Sequence, residues 1–280
     1  MAIKNILVHV DSSTQSAAIV KAAASVAKKF DAGLNGFHVL PDVAVAAAVP
    51  GGGMVSATIV EDMQEDAEKR AGRAEEIFRK AADELASPDG WVCVDSMGIG
   101  SRAAAARVAY YADLVVMGRL GEEDEPVASG VYPQDLVVDS GRPLLFLPPT
   151  DGTASIGRTV VVAWSESREA ARSVQDALPF LMAADTVKIV SVVKKDEDGS
   201  ESVRKMARLL KDHGIEGAAE TVTAQDDQST SGALFDYARK VGADLMVAGA
   251  YSHSRLREGI FGGVTKSIFD SAPLPVLLSH

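Results

Sequence analysis

Apolar residues along the chain follow two rhythms. Short runs rich in Val, Ile and Leu read as buried strands, and longer stretches with apolar positions three or four apart read as helix faces. The first run, 3–10, ends at Asp11. Ser12, Ser13 and Thr14 then offer N-caps to a helix reaching about Phe30, in which Ala18, Ala22 and Val26 hold one face. Strands are predicted next at 34–40, 91–96, 114–118 and 143–147, between helical patterns at 61–86, 101–111 and 132–140. Strand and helix in alternation predict a parallel sheet covered on both faces.

The order then repeats. After a turn-rich stretch at 148–155, strands are predicted at 159–164, 187–193, 216–222, 245–249 and 275–278, with helices at 168–184, 200–213, 229–241 and 263–271. The clearest internal match sets Ala112-Asp-Leu-Val-Val-Met-Gly118 against Ala243-Asp-Leu-Met-Val-Ala-Gly249. The expected fold is α/β, with two tandem doubly wound domains at 1–148 and 157–280. Asp113 and Asp244 each precede a buried strand and are read as structural caps or turns.

Composition narrows the function classes. A length of 280 residues suits two domains. Hydrophobic residues make up 47% but aromatics only 5%, so the cores have to be built from Ala, Val, Leu and Ile. A net charge of −11 argues against a nucleic-acid partner. The single cysteine, Cys93, leaves no intrachain disulfide and no multi-cysteine zinc site; in its predicted strand it reads as a small buried hydrophobe. No apolar run is long enough to span a membrane, and the N-terminus lacks a signal-peptide layout. The expectation is a cytoplasmic protein with no membrane partner.

Candidate chemistry lies where strands end. Open parallel sheets bind ligands outside the carboxyl ends of their strands, where the strand order reverses. In the second copy those ends are Trp164-Ser165, Val192-Val193 and Gly249. From Gly249 the chain runs through Ser252, His253, Ser254 and Arg255 to Gly262-Gly263-Val264-Thr265, joining a strand end to a helix start. Backbone N–H groups and the helix dipole suit phosphate there. Ser254 and Thr265 add hydroxyls, and His253 and Arg255 add positive charge. The plainer reading is that the glycines only let a loop turn and a helix pack, and spacing alone does not choose between the two.

This stretch resembles the nucleotide loop of the universal stress protein family, which reads G-x-x-G, nine residues, then G-[ST]. Here Gly249-x-x-Ser252 is followed by nine residues and Gly262-Gly263, with Val264-Thr265 and a terminal Pro-Val-Leu-Leu strand in keeping. The opening strands, 6–13 and 160–171, are similar too, so the resemblance spans nearly the whole chain. It implies two copies, each a five-stranded mostly parallel sheet with helices on both faces, paired as a pseudo-dimer, with a homodimer also allowed. It implies a stress-response regulatory protein that binds ATP or a related adenine nucleotide, with Mg as companion ion, or another small molecule. Three positions depart from the pattern. Ser252 replaces a glycine, Gly263 replaces the Ser or Thr, and Ser165 replaces the aspartate that lies by adenine and ribose in ATP-binding members. In the first copy Asp11 is kept and Gly118-Arg-Leu-Gly121 matches half the loop, but Glu122-Glu-Asp-Glu125 follows with no G-[ST] pair. Any nucleotide site therefore belongs to the second copy. The other function classes are an interaction scaffold without nucleotide and, less favoured, a slow ATPase.

The remaining candidates each have two readings. Asp11 is a helix cap or a ligand contact, and Ser165 likewise a cap for the helix at Arg168. The apolar, glycine-rich 43–60 is a lightly packed loop or a cover over a pocket. His9 and His38 lie in predicted strands and read as satisfied core histidines. The five histidines show no H-E-x-x-H spacing, and neither a phosphate-binding G-x-x-x-x-G-K-[ST] loop nor a G-x-S-x-G elbow is present, so no catalytic residue and no metal ligand is assigned.

Overall fold

The computed structural model describes residues 2–43, 56–82, 86–119, 130–149, 155–195, 198–251 and 263–280. The 44–55 part of the glycine-rich segment, the acidic 122–125 and the loop residues 252–262 lie outside the described residues. The chain folds as two compact units. One is built from 3–142; the other takes 143–148 together with the second half of the chain.

The first unit contains β1 (Asn5–His9), α1 (Ser16–Phe30), β2 (Gly33–Leu40), α2 (Ala57–Ala81), β3 (Ala86–Asp95), α3 (Ser101–Ala109), β4 (Leu114–Gly118) and α4 (Pro133–Asp139). Its strands pair in parallel in the order β3-β2-β1-β4. The second contains β5 (Leu144–Leu147), β6 (Thr159–Ala163), α5 (Arg168–Met182), β7 (Thr186–Val193), α6 (Ser200–Asp212), β8 (Gly217–Thr223), α7 (Thr230–Lys240), β9 (Leu245–Gly249), α8 (Gly263–Ser271) and β10 (Val276–Ser279). Its order is β5-β10-β9-β6-β7-β8, parallel throughout except for the antiparallel pair β5–β10. β5, which closes the first repeat in sequence, thus pairs with the last strand of the second.

Central strands are buried on both faces, which is why they read as continuous apolar runs and not as alternation. Leu114–Met117, Val160–Val162 and Leu245–Ala248 are all buried. The cores hold few rings; Phe37, Phe78, Phe146 and Phe180 are the fully buried aromatics among the described residues. The two aspartates are structural, as expected, but they act across the sheet and not as local caps or turns. Asp113 Oδ2 accepts the N–H groups of Lys4 at 2.8 Å and Asn5 at 2.9 Å. Asp244 Oδ1 accepts those of Gly157 at 3.1 Å, Arg158 at 2.9 Å and Thr159 at 2.9 Å. Each carboxylate ties the start of its copy's first strand to the start of the fourth.

Two local expectations are corrected. Cys93 is exposed, because β3 forms the edge of the first unit's sheet and neighbouring Val92 is also open. Ser12, Ser13 and Thr14 do not cap α1. The N-cap position is Gln15, and no side chain caps it.

Candidate functional site

In the second unit the strand order reverses between β6 and β9, whose direct pairing places β7 on one side and β10 on the other. A cleft of about 490 Å³ opens there, a volume suited to a small ligand. Its walls are the ends of three strands (Ala163-Trp164-Ser165, Val190-Ser191-Val192 and Ala248-Gly249) and the starts of α5, α7 and α8. The starts contribute Ser167; Ser229, Thr230, Ser231 and Leu234; and Gly263, Val264, Thr265 and Ser267. Eight Ser and Thr side chains therefore line the cleft, and none of its described lining residues carries a formal charge.

Two of the helix starts, those of α5 and α7, are fixed by local caps. Ser167 accepts the Ala170 N–H at 3.2 Å, and Ser229 accepts the Gly232 N–H at 3.0 Å. Three positive helix ends thus face one small volume; the one first-turn acid among them, Glu169 of α5, is buried, paired with Arg168 and absent from the cleft lining. Gly249 has a packing reason to be glycine. A Cβ there would lie 2.5 Å from Ala170 N and 2.6 Å from the Glu169 carbonyl carbon, because the first turn of α5 rests on the strand end. Tyr251 follows with φ at 56°, and its N–H donates to Thr265 Oγ1 at 3.2 Å. The Trp164 indole N–H donates to Ser202 Oγ of α6 at 2.7 Å, fixing the ring.

Of the residues proposed for ligand contact, the structure brings Ser165, Gly249, Gly263, Val264 and Thr265 to one cleft. Val193 is not among the lining residues; Val192 and Ser191 hold that wall. Ser252, His253, Ser254, Arg255 and Gly262 lie outside the described residues. Ser165 does not cap α5. Its hydroxyl lies 3.3 Å from that of Ser167, which is the cap. The sequence reading missed Ser191 and the Ser229-Thr230-Ser231 run. The available signal was a triple of cap-forming residues opening a helix two residues beyond Asp227.

At the matching strand end of the first unit stands Asp11. Its carboxylate accepts the Ser13 N–H at 2.9 Å and the Ser16 hydroxyl, a turn within its own loop and not a helix cap. Burial would raise its pKa, but His9 and the bonds from Ser13 and Ser16 hold it below the usual carboxylate value. Burial also depresses both neighbouring histidines. His9 is therefore neutral at neutral pH. Gly118 repeats the Gly249 pattern: a Cβ would meet the Ile19 side chain of α1 at 2.7 Å. Among the described residues no group of three or more His, Cys, Asp or Glu is placed to hold a metal ion, and no helix is long and apolar enough to cross a membrane.

Comparison with solved structures finds this fold again. A universal stress protein from Archaeoglobus fulgidus DSM 4304 aligns with a TM-score of 0.68 and 17% identity, covering 98% of this chain and 96% of that one. A functionally unknown protein from Pseudomonas aeruginosa PAO1 aligns at 0.57 and 14% identity, covering 99% and 92%. A putative universal stress protein from Pseudomonas aeruginosa UCBPP-PA14 aligns at 0.55 and 14%, covering 99% and 93%. Identities this low speak for the fold alone. No curated protein matches the chain. The model of the Universal stress protein family matches twice, over residues 2–125 and 157–280. Both halves of the sequence carry the family pattern, and the chain belongs to the universal stress protein family as a tandem of two such domains.

Proposed function

We propose that the chain is a stress-response regulatory protein whose second copy binds ATP or a related adenine nucleotide in the cleft between β6 and β9. One observation carries this reading: three helix N-termini and eight hydroxyls surround a volume whose described lining holds no carboxylate. Helix N-termini supply partial positive charge and free N–H donors to phosphate oxygens, and serine and threonine hydroxyls add donors without strong hydration of their own. Trp164, Val190, Val192, Leu234 and Ala248 give the same cleft an apolar side for a base. The described lining offers no carboxylate for a metal, so Mg²⁺ enters only as the companion of the nucleotide's own phosphates. The role proposed is binding and not turnover. The protein acts in the cytoplasm on a small molecule, with neither nucleic acid nor membrane as partner.

A second reading, an interaction scaffold without nucleotide, draws on Ser165. The serine sits beside Ser167 and brings no carboxylate to the base side of the cleft. Calorimetric titration of the full chain with Mg·ATP separates the two. The nucleotide reading expects saturable heat at about one ATP per chain, strengthened about tenfold by Ser165→Asp, a gain of about 1.4 kcal/mol. No heat in either protein, with no nucleotide released on denaturing fresh material, supports the scaffold.

A further inference from the structure

The first unit contains a pair of groups that the second lacks. His9, the last residue of β1, and His38 of β2 are only 5% and 4% exposed. Their rings lie nearly parallel, centroids 6.3 Å apart at 18°. Phe37 closes on His9 edge-on at 5.2 Å. The Val10 carbonyl sits 2.8 Å from His38 Nδ1 and accepts its proton. His9 Nε2 is buried and meets no hydrogen-bond partner among the described residues. By strand register the corresponding places in the second unit are held by Ala163 and Ser191, neither of which titrates in this range.

We propose that His9 and His38 form an acid latch of the first unit: protonation of the pair loosens the ends of β1 and β2 and releases Asp11 with the start of α1, while the second unit keeps its fold. A proton on His9 Nε2 creates a buried N–H⁺ with no described group to receive it, beside a second imidazole. The charged groups acting on the pair are Asp11, at the end of β1, and Arg70, from α2. Asp11 favours charge on both rings, and Arg70 opposes it on His38. Asp11 bonds neither ring; its carboxylate is engaged by Ser13 and Ser16.

Burial outweighs these contributions. It draws the His9 pKa from 6.5 down to about 4 and lowers that of His38 as well. A histidine whose folded pKa lies below its unfolded one stabilises the fold fully above the unfolded value and progressively less as pH falls toward the folded one. For His9 that window runs from about 6.5 to about 4. The hydroxyl-lined cleft of the second unit contains no such group among its described residues.

Hydrogen exchange on the full chain, expressed as protection factors so that intrinsic pH effects cancel, tests this. Between pH 6.5 and 4.5 the amides of β1, β2 and α1 should lose protection by about tenfold or more, while those of β6, β7 and α5 stay within about twofold. The double variant His9→Ala with His38→Ser, which copies the second unit's own residues, should remove that difference. NMR of the wild-type His9 imidazole gives a readout that needs no variant: the ring should remain neutral at pH 5.5. Titration of His9 near 6.5, equal loss of protection in both units, or a folded double variant that keeps the tenfold loss would each overturn the latch.

Discussion

Replacing Gly249 by alanine should cost the second unit more than alanine at Gly263 costs it, and more than alanine at Gly118 costs the first unit. The new Cβ would sit 2.5 Å from Ala170 N, 2.6 Å from the Glu169 carbonyl carbon and 2.9 Å from Glu169 Cβ. Two of these are backbone atoms, so relief requires the first turn of α5 to retreat by roughly 1 Å, since carbon contacts are optimal near 3.5–4.0 Å. Overpacking of this kind costs about 1–3 kcal/mol. The retreat also strains the Ser167 cap on Ala170, worth about 1 kcal/mol. The total is about 2–4 kcal/mol. At Gly118 the neighbour is the Ile19 side chain, at 2.7 Å, which can change rotamer at a cost of about 1–2 kcal/mol. At Gly263 a Cβ meets nothing within 4 Å among the described residues, and the residue opens a helix, so alanine should be neutral or stabilising by up to about 1 kcal/mol. Urea unfolding followed by Trp164 fluorescence in a Trp91→Phe background reads the second unit alone. With a slope of about 2 kcal/mol per molar, Gly249→Ala should lower its midpoint by about 1–2 M. A Gly249→Ala midpoint within about 0.2 M of the parent, or Gly263→Ala as harmful as Gly249→Ala, would refute the packing argument.

Other predictions follow from single contacts. Asp244→Ala leaves three strand-start N–H groups without their acceptor and should cost the second unit about 2–3 kcal/mol, against about 1–2 kcal/mol in the first unit for Asp113→Ala, which frees two; the two midpoints in urea give the comparison. Ser167→Ala should cost about 1 kcal/mol and Ser165→Ala under about 0.5 kcal/mol, because only Ser167 caps α5. Thermal unfolding of the two variants side by side would refute the assignment by giving the reverse order.

The order of elements was legible because each strand of this fold is a short apolar run between helix patterns of a different period. Asp113 and Asp244 were legible as structural residues from their place before a buried strand, but their partners, N–H groups at the start of a distant strand, were not. Other features depend on distance in space. Nothing local in 143–147 says that β5 pairs with β10; only the family resemblance, if its members pair through their terminal strands, points to that contact. Cys93 looked buried because sequence does not tell an edge strand from a central one. Among clustered serines and threonines the capping residue was misjudged twice. Gln15 holds the N-cap position where Ser12, Ser13 and Thr14 were expected, and Ser167 caps where Ser165 was a candidate. Several hydroxyls within three residues compete for the same N–H groups, and backbone angles decide the winner. Ser229, Thr230 and Ser231 escaped notice because their neighbours in the cleft come from β7 and β9, far away in the chain.

Hydrogen exchange of the full chain with and without saturating Mg·ATP at pH 7 tests whether the second copy holds nucleotide. Exchange should slow at the starts of α7 (229–232) and α8 (263–267) and around Gly249, with the first unit's amides near Asp11 and Gly118 unchanged. Unchanged exchange throughout, or protection confined to the Asp11–Gly118 side, would contradict it.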